Sequence, residues 1–131
     1  MFLKVMNQEE KEKFLELIYK VANIDGEYAE EEEEIIDNYK IELGIKNMEE
    51  TASLEELVDY FGIKNSSLKK IVFFETVGLV NADDKFEKAE EEVLLLMHKK
   101  FGFDDREYEK IINIAKKLQS VYDEVFELIF G

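Results

Sequence analysis

The chain predicts an all-α fold, a single helical domain of about six or seven helices spanning residues 1–131. Three observations predict it. Proline is absent from the 131 residues and only six are glycine, so helices run with few interruptions. Apolar residues recur at i, i+3, i+4 and i+7, the period of an amphipathic helix. The chain also overlays on itself when shifted by 58 positions, which predicts two copies of one helix–acidic loop–helix unit, about 8–47 and 66–105, related by a pseudo-two-fold.

The elements follow in order. A first helix is expected from about Gln8 to Asn23, with Phe14, Leu17, Ile18 and Val21 on one stripe, stopped by the turn signal Asn23-Ile24-Asp25-Gly26. A second runs from about Ala29 to Leu43, with Ile36, Tyr39 and Leu43 inward and Gly44 ending it. Ser53 with Glu56 forms a capping-box pattern, which starts a short helix from Leu54 to about Phe61. Asn65 or Ser66 caps a fourth helix to about Val80, apolar nearly all round and therefore central, with Phe73, Phe74 and Val77 buried. After the turn at Asn81-Ala82-Asp83-Asp84, a fifth helix from about Glu87 to Phe101 carries Leu94 and Met97 inward. Asp104 with Glu107 starts the last helix, which reaches Phe130 with a break near Gln119 and a stripe including Tyr108, Ile111, Ala115, Leu118, Tyr122, Val125 and Ile129.

Composition narrows the function classes. Lys and Arg total 17 against 32 Asp and Glu, for a net charge of −15. Such a field repels nucleic acid and anionic membrane surfaces and favours cations or a protein partner with a basic face. No stretch is long and apolar enough to insert in a membrane, and the N-terminal residues lack the apolar stretch of a signal peptide. There is no cysteine, which excludes disulfides and thiolate chemistry and fits a cytoplasmic protein.

The internal repeat carries the most specific signal. Asn23-Ile24-Asp25-Gly26-Glu27-Tyr28 falls on Asn81-Ala82-Asp83-Asp84-Lys85-Phe86, Glu32-Glu33-Glu34 on Glu90-Glu91-Glu92, and Leu43-Gly44-Ile45 on Phe101-Gly102-Phe103. Turn, aromatic residue, acidic run and terminating glycine match in order without a gap. At these residues the chain resembles the tellurite-resistance TerB-like family, which takes in the central region of the DjlA co-chaperone. That family's pattern is a helix ending in a small residue and Asp-Gly, an acidic residue seven positions after the Asp, and a helix closed by Leu-Gly-hydrophobic. Val21-Ala22-Asn23-Ile24-Asp25-Gly26 with Glu32 and Leu43-Gly44-Ile45 fits it. The second copy departs once, with Asp84 in place of the glycine. The resemblance covers roughly Phe14 to Ala115. It implies an all-helical fold, two acidic loops, a role in divalent-metal binding or stress-linked assembly, and no catalytic activity.

The metal candidates are therefore Asp25, Glu32, Asp83, Asp84 and Glu90. Carboxylates and turn carbonyls suit a hard cation, Ca²⁺ or Mg²⁺. An EF-hand register places Asp25 at loop position 5 and Glu32 at position 12, but position 1 falls on Val21 and Leu79, both apolar stripe residues, so the first ligand of a normal EF-hand is missing in both copies. The competing reading is structural: Asp25 closes an Asx-turn and Glu32 caps the start of the second helix by accepting backbone N–H groups. His98 is the lone histidine and Leu95 stands three positions before it, so neither a zinc site nor a Glu-x-x-His di-iron pattern is present. No glycine-rich phosphate loop and no nucleophile–base set is visible, so an enzyme is not expected. The sequence reading is a non-enzymatic acidic binding module with two candidate cation loops. The alternative is an acidic interaction domain, of inhibitor or immunity type, that docks a basic partner without metal.

Overall fold

A computed structural model describes residues 2–24, 30–81 and 88–131. Among the described residues the chain is all-helical, without strands. A short 3-10 turn, η1 (Leu3–Val5), leads into α1 (Gln8–Ala22), α2 (Glu30–Leu43), α3 (Leu54–Gly62), α4 (Ser66–Val80), α5 (Lys88–Phe101) and α6 (Asp105–Phe130). The bounds of α1 and α4, and of α2 and α5, differ by the same 58 positions as the sequence overlay.

Local chemistry sets the helix starts. The side chains of Ser53 and Glu56 bond each other's backbone N–H, as the capping pattern predicts. Asn7 and Glu10 form the same reciprocal box at α1, a signal present in the sequence and not read there. At α4 the cap is Asn65, whose Oδ1 accepts from Leu68 N–H at 2.9 Å. At α6 Asp104 accepts from Glu107 N–H at 2.7 Å. The stops use glycine in its left-handed conformation: Gly44 has φ 70° and Gly102 φ 72°, where a side chain would strain the backbone.

The α4 helix is central, packing on α1, α3, α5 and α6. Its Val72, Phe73 and Val77 are fully enclosed, as are Leu94 and Met97 of α5. Phe74, expected inside with them, is only half-buried, because it packs at the edge of the core and lines a surface groove with Ile71 and Ile111. Helix α1 buries Phe14, Leu17, Ile18 and Val21, its whole predicted stripe, against α2, α3 and α4. Phe14 meets the ring of Tyr39 of α2 edge-on, with centroids 5.4 Å apart. Gly62 ends α3 where its Cα faces the backbone of α5: an added Cβ would sit 3.1 Å from the Lys100 carbonyl oxygen.

Helix α6 departs from expectation. It runs unbroken for 26 residues, with no break near Gln119. No glycine or proline interrupts it before Gly131, and Gln119 lies in a helical segment bridged to Asp123 by a side-chain hydrogen bond of 3.1 Å. Its stripe is covered only as far as Ala115, after which every residue to Phe130 is exposed except the half-buried Leu118.

Candidate functional site

Two of the five candidate ligands fall within the described residues. Glu32 and Glu90 each occupy the third position of their helix, α2 and α5, directly after the loops that the repeat singles out. Both are 3% exposed. A carboxylate withdrawn from water to that degree needs compensation from N–H donors, a cation or both. The first turn of a helix offers free N–H groups and the positive end of the helix dipole. A glutamate at the third position of a helix stands within that first turn. Asp25, Asp83 and Asp84 lie outside the described residues. Among the described residues, no group of three or more His, Asp or Glu side chains could hold a metal ion.

His98 is placed as a boundary residue of α5. Its ring stacks on Tyr108 of α6, with centroids 4.2 Å apart and planes at 9°. Its Nε2 lies 3.5 Å from an Asp105 carboxylate oxygen. The tyrosine hydroxyl of Tyr108 is raised above its usual range, by burial first and then by the charges of Glu109 and Glu91. This arrangement ties α5 to α6.

A further buried carboxylate was not read from the sequence. Glu16 of α1 is 1% exposed. One of its oxygens accepts N–H bonds from Thr51 and Ala52, both at 2.8 Å, and the other accepts from the Thr51 hydroxyl at 2.8 Å. Lys13 Nζ in turn donates to Thr51 Oγ1 at 3.1 Å. Burial pushes the Glu16 carboxyl up, but the Ala52 and Thr51 donors and the Lys13 charge outweigh it, so it stays below the usual carboxylate range. These bonds pin the segment before α3 onto α1 and leave a cleft of about 270 Å³ between them, with Leu15, Ile45 and Met48 among its walls. Each Glu16 oxygen is engaged with the loop. A second buried link joins Tyr39 of α2, whose hydroxyl donates to Glu75 of α4. Burial and the Glu75 charge raise that hydroxyl far above the tyrosine range, so it acts as a fixed donor.

Only a weak signal could have found Glu16: a lone acid between Leu15 and Leu17, two residues that both face the core. Tyr39 was expected inward on its stripe, and its polar tip explains why a tyrosine is tolerated there. Among the described residues, no helix is long and apolar enough to cross a membrane. No family model matches the chain, and neither a curated protein nor a solved structure matches it.

Proposed function

We propose that this chain is a non-enzymatic, cytoplasmic, TerB-like binding module that takes divalent cations, Ca²⁺ or Mg²⁺, at the loops following α1 and α4. The observation that supports it is the pair Glu32 and Glu90, buried to the same 3% at the same helical position in both halves. A single buried glutamate at a helix start is an ordinary cap. Two at a spacing of 58, each seven positions after an aspartate, repeat the acidic pattern that carries the family resemblance. The donor set is all oxygen, which suits hard cations and not zinc or iron. Asp25 with Glu32 would hold one ion, and Asp83, Asp84 and Glu90 the other.

A ligand that binds only the native state adds RT ln(1 + [L]/Kd), about 2.7 kcal/mol at a hundredfold excess over Kd. Millimolar Ca²⁺ or Mg²⁺ is therefore expected to raise the melting temperature. Relief of self-repulsion on a surface of charge −15 raises it as well. Monovalent salt at equal ionic strength reproduces screening and not binding. The excess over that control should vanish in the double variant Asp25→Asn with Asp83→Asn. A double variant that answers divalent ions as the parent does would leave the second reading, an acidic interaction domain for a basic partner. That reading draws on the charge of −15.

A further inference from the structure

We infer that the cleft between α4, α5 and the first half of α6 is a binding site for a small organic cation, an ammonium with an apolar body and a carbonyl-type oxygen. The cleft measures about 560 Å³. Small-molecule sites span about 300–1,000 Å³ and combine apolar walls with a few convergent polar groups. Helix α4 packs on both α5 and α6 and so closes the bottom of the space between them. Val77 of α4, Leu94 of α5 and Ile112 of α6 line it there, the first two enclosed and the third partly so. The stack of His98 on Tyr108 holds α5 and α6 together beside it.

Asn81 asks for the oxygen. It caps the end of α4 and lines the same cleft. Its Nδ2 is shielded from water and, among the described residues, meets no hydrogen-bond acceptor. The repeat shows how its counterpart is served. Asn23, 58 positions earlier, donates its Nδ2 to the Tyr19 carbonyl at 2.9 Å. The matching carbonyl in the second half, that of Val77, takes the backbone N–H of Asn81 at 3.0 Å, and the side-chain amide stays unbonded. A shielded donor carries its desolvation cost uncompensated, and an oxygen brought to it recovers that cost. The last torsion of an asparagine is soft, so a small rotation presents the amide to a ligand in the cleft. The rim selects the charge. Glu91 of α5 and Glu109 of α6 are exposed there, and both charges act on the Tyr108 hydroxyl, so the two carboxylates bracket that group. Lys116 stands on the same rim, and two carboxylates against one ammonium leave a single net negative charge. With the whole chain at −15, an anion is repelled from this rim and one ammonium neutralises it.

Titrating the ¹⁵N-labelled full chain with L-phenylalaninamide tests this, with EDTA present and at about pH 6.5, where an α-amine is protonated. Saturable shifts are expected at Asn81, Leu94, Tyr108 and Ile112. Glycinamide keeps the charge and the oxygen without the apolar body, and should give no saturable shifts there. Phenethylamine lacks the oxygen and should bind about fivefold more weakly than phenylalaninamide, the worth of one neutral hydrogen bond. Asn81→Ala should remain folded by its melting curve, lose the same factor for phenylalaninamide and lose nothing for phenethylamine. Glu91→Gln with Glu109→Gln should weaken phenylalaninamide about fivefold, as two exposed charges do, and leave the uncharged N-acetylphenylalaninamide unchanged. Shifts that fail to saturate at the cleft, or that glycinamide reproduces, would overturn the site. Equal losses of phenylalaninamide and phenethylamine in Asn81→Ala would overturn the role of that amide. The outcome is separable from divalent-ion binding, because EDTA removes those ions and none of the substituted residues is a candidate ligand for them.

Discussion

Replacing Phe73 by Ala is expected to destabilise the fold by about 3–5 kcal/mol, the cost of removing a fully buried aromatic ring and leaving a cavity. Phe73 sits in the middle of α4, the helix that packs on four others, and is 0% exposed. Its ring meets Phe103 at 5.4 Å between centroids and Tyr108 at 5.5 Å. Phe103 in turn lies edge-on to Phe101 at 5.9 Å, and Tyr108 carries the stacked His98. Truncation therefore removes support from the junction of α4, α5 and α6 at once. Aromatic pairs add about 0.5–1.5 kcal/mol beyond their buried area, which places this site toward the upper part of the range. Urea denaturation of the two proteins under matched conditions reads the difference. A loss below 1 kcal/mol would show that the ring is not enclosed as described.

The second large effect is electrostatic. Glu16→Ala is expected to cost about 2–4 kcal/mol, because hydrogen bonds to a charged acceptor are worth about 1.5–3 kcal/mol and the orphaned donors lose their partner. The donors left behind are the N–H groups of Thr51 and Ala52 and the Thr51 hydroxyl. The sign of the pH dependence follows from the depressed carboxyl. Its folded-state value lies below the ordinary 4.5, so its stabilisation is complete above that value and is lost as pH falls through the folded one. Glu16→Gln keeps the shape without the charge. The stability gap between the parent and Glu16→Gln should be constant near neutral pH and narrow steadily below about pH 4. A gap that stays constant to the acid limb of the denaturation curve would contradict the account of this carboxylate.

Much of this fold was legible because it is written in short-range patterns. The stripe Phe14, Leu17, Ile18 and Val21 marks the buried face of α1 residue by residue, and Ser53 with Glu56 marks the start of α3. Gly44 and Gly102 mark stops because only glycine takes their backbone angle without strain. What escaped depends on tertiary context. Glu16 reads as a surface acid until the segment 51–52 folds over it, and nothing local announces that contact. Phe74 belongs to an apolar run, but a run does not say which of its members reaches the edge of the packed layer. The stripe of α6 reports amphipathicity and not what covers it, so the expectation of a break near Gln119 stood in for a straight helix leaving the core. The repeat placed Glu32 and Glu90 at helix starts, where they lie. Their burial was not legible, because a run of glutamates normally marks a solvated face.

The central claim, cation binding at two acidic loops, is tested most directly by titrating the ¹⁵N-labelled chain with Ca²⁺ and with Mg²⁺ while following every backbone amide. The account predicts saturable shifts confined to two clusters, one at Asp25 and Glu32 and one at Asp83, Asp84 and Glu90, beyond those produced by monovalent salt at equal ionic strength. Shifts spread evenly over the acidic surface and reproduced by monovalent salt would contradict it.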